Sequence, residues 1–196
     1  LKANIPRAKV AAGEKEILID DIKVDIEKGT LDGEKKSLHL PEIRFNSSLL
    51  KNLLLSLKID ENRVSATLRG KQTKLLEAAL ALNLLPPGWK FSGLDSVHIT
   101  AMKKEKNPWS FSSEFGFQEL CFENTDSSCM GEKVSVKAKM EGEIDLKNEY
   151  IAANSAFEIY GGEILYDRFY LDMKKNAFFS SCEANYEIPK RSLQLS

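Results

Sequence analysis

Few side chains in this 196-residue chain are placed to do chemistry. Its two histidines both sit in alternating strand-like context. His39 lies between Leu38 and Leu40, and His98 between Val97 and Ile99. A two-residue period sends each imidazole away from its apolar neighbours, towards solvent. A solvated histidine is therefore a better reading than a general base. Asp20 and Asp21 are adjacent, so a regular strand turns them to opposite faces, where they cannot share a proton. Glu141, Glu143 and Asp145 do share a face. That row could attract a cation, but it lacks the loop spacing of a calcium site and reads as a solvated strand face. No glycine-rich phosphate loop and no G-x-S-x-G elbow is present. The histidines and cysteines do not fall at zinc-ligand spacing. These residues imply no enzyme, no metal and no cofactor.

Cys121 and Cys129 bracket a polar, turn-rich stretch, Phe-Glu-Asn-Thr-Asp-Ser-Ser. A hairpin there would bring them within disulfide range and imply an oxidising compartment. The alternative is two free thiols beside a loop. Cys182 alternates with Ala184 and Tyr186 and reads as a small core residue. Tyr160, Tyr166, Phe169 and Tyr170 gather around Gly161-Gly162. Base stacking on such rings needs a positive groove. With 28 basic and 29 acidic residues the net charge is −1, so nucleic acid is not an expected partner.

The elements that would position any site are mostly strands. From 94 to 188 apolar residues recur at every second position. Trp109, Phe111, Phe115 and Phe117 form one such set, Val134, Val136, Ala138 and Met140 another, and Phe157 with Ile159 a third. The ladder predicts a long antiparallel meander with one greasy face, to which Val97 and Ile99 also belong. Gly142 suggests a bulge, and Asp167-Arg168 a kink within a strand over 164–173.

In the first half, residues 1–13 read as an edge strand or a frayed end. Ile17 to Ile26 reads as one or two strands with a bend or bulge at Asp20-Asp21. Glu27 to Gly33 has turn chemistry. Pro41 marks an edge strand or a bulge. Leu53 to Ile59 and Val64 to Leu68 make a hairpin about Asp60-Glu61-Asn62. Only 71–84 has helical spacing, stopped by Pro86-Pro87-Gly88. A lone helix in a β-rich chain packs on the sheet or plugs its end. The expected fold is mainly β: a curved sheet, groove or open barrel with one helix, as a single domain over 1–196 with a sub-boundary near 86–93.

Hydrophobic residues are 42% and charged residues 29%, as in ordinary folded proteins. No segment approaches the ~20 apolar residues that span a bilayer. The chain begins at Leu1 without an initiator methionine, which is expected of a piece of a longer protein.

The helix with its proline break, then Gly88-Trp89-Lys90-Phe91-Ser92-Gly93-Leu94-Asp95-Ser96-Val97 and repeated ten-residue strands, resembles the AsmA-like, bridge-type envelope proteins of Gram-negative bacteria. The stretch from Gly162 to Asp172 is similar to the C-terminal region of such chains. The resemblance implies a β-groove that carries phospholipid or another lipid between membranes without catalysis. It implies a periplasmic location, an inner-membrane anchor elsewhere in the protein, and possible envelope protein partners. Since that family is defined by a surface, no catalytic residues carry over. The lipid-groove candidates are Val97, Ile99, Phe111, Phe115, Phe117, Val134, Val136, Phe157 and Ile159. The competing expectations are a structural or adaptor β-domain with a closed core, and a glycan-active enzyme using surface carboxylates.

Overall fold

The computed structural model describes residues 1–12, 15–81, 85–105, 107–145, 147–187 and 192–195. They form one antiparallel sheet of thirteen strands with a single short helix. The first-half strands are β1 (Lys2–Ala12), β2 (Lys15–Asp32), β3 (Ser37–Asn46), β4 (Leu53–Asp60) and β5 (Arg63–Lys71). The helix α1 (Leu75–Ala81) follows. Then come β6 (Lys90–Lys104), β7 (Trp109–Glu123), β8 (Cys129–Asp145) and β9 (Tyr150–Tyr160). The last are β10 (Glu163–Tyr166), β11 (Phe169–Asp172), β12 (Phe178–Glu187) and β13 (Ser192–Leu195).

Strands β1 to β9 pair in chain order, followed by β12 and β13. The sheet is open, with β1 and β13 at its edges. Strand β10 prolongs the line of β9 along β8, and β11 folds back on it. The segment after Gly88 joins the same sheet, because β6 pairs with β5.

Register turns the sequence alternation into two faces. Phe45, Leu53, Gly70, Val97, Phe115, Ala138 and Phe157 stand opposite one another in succession across β3 to β9. Two residues along, Ile43, Leu55, Leu68, Ile99, Ser113, Met140 and Ser155 make the next row. The reverse face carries rows such as Arg44, Leu54, Arg69, His98, Glu114, Lys139 and Ala156. Both histidines are exposed, and His98 lies in that polar row, as the alternation predicts.

Several local expectations change. β2 does not turn at Glu27 to Gly33 but runs to Asp32, taking two register shifts between Ile26 and Thr30. Gly29 serves close packing instead, since a Cβ there would lie 2.6 Å from Leu40 Cδ2. The turn comes at 33–36, where Asp32 Oδ1 accepts the backbone N–H groups of Glu34 and Lys35 at 3.1 Å each. Of the two readings for Pro41 the bulge holds, between Leu40 and Ile43, and the edge does not, since β3 lies between β2 and β4. Gly142 is in regular register, with no bulge: a Cβ there would stand 2.1 Å from the Ala152 carbonyl oxygen. Asp167-Arg168 is a full hairpin turn rather than a kink, with Tyr166 paired to Phe169. α1 starts at Leu75, four residues later than its spacing suggests, because β5 keeps pairing to Lys71. The expected helix end at Leu82 to Leu84 lies outside the described residues.

Among the described residues few side chains are buried, and of the larger ones only Val134 and Thr73 are fully so. Leu53, Val97, Leu120 and Val134 cluster at one end of the apolar face, with Thr73 and Ala78 beside them. Each such aliphatic burial contributes about 1.5–3 kcal/mol. The rest of the sheet relies on strand-to-strand pairing and half-buried side chains.

Candidate functional site: an apolar sheet face

All nine residues proposed for a greasy face lie on one side of β6 to β9. Val97, Phe115 and Phe157 share a row; Phe117, Val136 and Ile159 share another. Ile99 and Phe111 occupy the rows beyond, while Val134 stands opposite Leu120. The face also extends across the first half, through Leu40, Ile43, Leu55, Leu57 and Leu68. Those residues read as strand from sequence, but nothing local showed that their apolar side would join the same surface. Phe178 extends it the other way, packing on Phe157 with ring centroids 5.7 Å apart.

Almost nothing covers this face among the described residues. Every substantial packing between elements is between hydrogen-bonded strand neighbours, except that of α1 on β6. The solvent-accessible surface is 13615 Å². A compact monomer of this mass would expose about 9,300 Å². The excess is that of a single layer lacking the second layer that usually buries an apolar sheet face. Phe157, at 40% exposed, and Phe178, at 50%, show the consequence locally.

α1 roofs one end. Asp95, on the apolar side of β6, fixes its start. The Asp95 carboxylate accepts the Thr73 backbone N–H, the Thr73 hydroxyl at 3.1 Å and the Leu75 backbone N–H at 2.6 Å. This is an N-cap delivered from a neighbouring strand rather than from the preceding residue. Its signal in the sequence is faint, because Asp95 is 20 residues from Leu75. Between α1 and the sheet lies a cavity of about 370 Å³. Leu76, Phe91, Phe117 and Leu120 supply its apolar lining, and Lys51, Lys74 and Gln72 are among its polar residues. Beside it Trp89 stacks on Phe91, with centroids 5.8 Å apart and planes 9° from parallel. At the far end Lys103 lies 5.8 Å from the Trp109 ring centroid, a cation–π contact.

The reverse side is ordinary polar surface. The Lys137 ammonium lies 3.1 Å from Glu114 and holds that carboxyl below its usual range. Glu141 and Glu143 are exposed, as a solvated row should be. A cavity of about 630 Å³ at the foot of the β10–β11 hairpin gathers Lys90, Glu123, Glu132 and Glu163. Lys174 donates to Glu163 at 3.0 Å and keeps it ionised, with help from the Tyr170 hydroxyl. Ser127 donates to Glu123 at 2.5 Å, and Glu132 is solvated.

The expected Cys121–Cys129 disulfide is not formed; both thiols are free. Cys121 pairs with Ser92, whereas Cys129 pairs with Tyr166 and bonds across the turn to Asn124. Glu123 faces Met130, so Cys121 and Cys129 point to opposite sides of the hairpin. They are also about 10 Å apart along the strands, beyond the ~7 Å Cα limit for bridging. Burial raises the pKa of the Cys129 thiol. Among the described residues no group of three metal-ligating side chains converges, and no helix is long and apolar enough to cross a membrane.

No protein-family model, no curated protein and no solved structure matches this chain.

Proposed function

We propose that this chain is a noncatalytic domain of the cell envelope whose open apolar sheet face binds lipid, or conducts it between membranes. On this reading it is periplasmic and belongs to a protein anchored in the inner membrane. One observation carries the proposal: among the described residues, a continuous apolar face many strands wide has only the short helix α1 over one end. Acyl chains suit such a surface. Each buried methylene gains about 0.8 kcal/mol and asks for no hydrogen bond in return. The polar reverse face and the helix over one end suit a one-sided groove. The resemblance of 88–97 and 162–172 to bridge-type envelope proteins points the same way. An adaptor role with a closed core draws less support, because it requires the apolar side to be internal.

The test is lipid analysis of protein isolated without harsh detergent. Mass spectrometry is expected to find co-purifying phospholipid. Phe157→Asp and Met140→Asp place charge at partly exposed positions on the face, so the sheet should still form while bound lipid is lost. Wild-type protein free of lipid, or folded variants that carry the wild-type amount, would overturn the proposal.

A further inference from the structure

The β10–β11 hairpin exposes several aromatic side chains. Phe169 is 70% exposed and Tyr166 63%, and Tyr170 and Leu171 are each more than half exposed. Tyr166, Phe169 and Leu171 share one side of the hairpin, while Tyr170 faces the other side beside Glu163; monomeric proteins seldom leave such a group of large apolar side chains in water. The hairpin is also held in place. The Asp167 backbone N–H donates to the Ser128 carbonyl at 2.6 Å, tying its tip to the β7–β8 turn. Buried Met173 exchanges backbone hydrogen bonds of 3.0 Å with Gly161 and Gly162 at its base. The rings are therefore presented on a fixed element.

Charge on the hairpin is divided. At its base Lys174 pairs with Glu163 and Lys175 with Asp172. At its tip Asp167 and Arg168 stand between the rings and form no ion pair among the described residues. An adjacent cation and anion among amphipathic rings complement the phosphate and ammonium groups of a zwitterionic phospholipid surface. Tyrosine and phenylalanine favour that interface because their ring bodies enter the acyl boundary while hydroxyl and charged groups stay wet. The patch is continuous with the apolar face of the main sheet. Phe91, Phe122, Gly131, Ile164 and Leu171 form one row from β6 to β11, and Tyr166 with Phe169 lie on the same side one step further.

We infer that the β10–β11 hairpin docks the chain on a phospholipid bilayer, with Tyr166, Phe169 and Leu171 in the headgroup boundary and Arg168 and Asp167 on the headgroup charges. The docking deepens the lipid-groove reading and rests on it for its cargo: it places the apolar face where lipid can pass from bilayer to sheet.

Flotation with phosphatidylcholine vesicles tests the inference. The wild-type chain is expected to float. Removing both rings with Tyr166→Ser and Phe169→Ser should weaken partitioning about a hundredfold, at roughly tenfold per ring. Phe169→Ser alone serves if the double variant fails to fold. Phe179→Ser, which removes an equally exposed ring (67%) opposite Glu158 on the reverse side of β12, should float as the wild type does. The inference is overturned if the wild type stays with the soluble fraction, or if folded hairpin variants float undiminished. Flotation lost only in Phe157→Asp means that the sheet face itself meets the bilayer, which rejects the hairpin and spares the groove. Flotation lost only in the hairpin variants, from protein carrying no lipid, supports docking and rejects the groove.

Discussion

Replacing Asp95 by alanine tests how the apolar face is closed at one end. The carboxylate accepts three hydrogen bonds, two from Thr73 and one from Leu75. Thr73 is fully buried, so water cannot readily replace the lost acceptor. Loss of a helix cap costs about 1 kcal/mol. Leaving a buried donor without a partner costs about 1–3 kcal/mol. The terms overlap, so the expected destabilisation is less than their sum, about 1–3 kcal/mol, a large share of a typical 5–15 kcal/mol stability. Urea unfolding followed by circular dichroism measures it. Asp95→Asn keeps one acceptor oxygen and should lose about half as much. Amide exchange should quicken first at Thr73 and Leu75, because α1 touches little besides β6. An alanine variant within about 0.5 kcal/mol of wild type, the scatter of an ordinary surface change, refutes the reasoning: α1 would then be held by its apolar contacts alone.

Gly142→Val should destabilise by about 3 kcal/mol, as overpacking does, although valine is the better strand former. Its Cβ would meet the Ala152 carbonyl oxygen and Ala153 Cα, both backbone, so β8 and β9 must part; a thermal melt unchanged from wild type contradicts this. Acid should loosen two turns before the sheet melts. Asp126 is held below its usual pKa chiefly by the Ser128 hydroxyl, and Asp145 chiefly by the Asn148 backbone N–H. A lowered folded pKa contributes stability that is complete above the ordinary carboxylate range and is lost as pH falls through the folded value. Amide exchange at Ser128 and Asn148 is therefore expected to rise below about pH 4, and turns equally protected throughout acid titration argue against it.

The β-fold was legible because alternation is a local property. Trp109 to Phe117 and Val134 to Met140 each announce a strand and its greasy side without reference to any other segment. Pairing order followed too, since short turns leave a meander few alternatives. Positions where two strands meet were not legible. Gly29 and Gly142 looked like a turn and a bulge, but both answer to the strand beside them, Leu40 in one case and Ala152 in the other. The disulfide expectation failed for a related reason. Cysteines flanking a turn can bridge only if register puts them on one side, and the Glu123–Met130 pairing puts them on two. The Asp95 cap needed the pairing of β5 with β6 before it could be seen. The candidate face was half visible, because the sequence marks an apolar side for each strand but not that the sides of β3 to β9 become one surface.

That surface sets a thermodynamic condition. A single-layer sheet gains pairing energy between neighbours but leaves its apolar side in water, where the hydrophobic contribution that dominates folding is only partly realised. Few of the described residues are buried. Whatever covers the face binds the folded chain and not the unfolded one. It therefore adds to stability in proportion to the logarithm of its concentration over its dissociation constant. Ligand occupancy and fold stability are then one quantity seen twice. A second layer built into the chain would have made the domain more stable by itself and closed the face to any ligand. The polar side, with Glu114 and Lys137 paired across strands, needs no cover. The asymmetry between the two sides, rather than any particular residue, is what makes the sheet a candidate carrier.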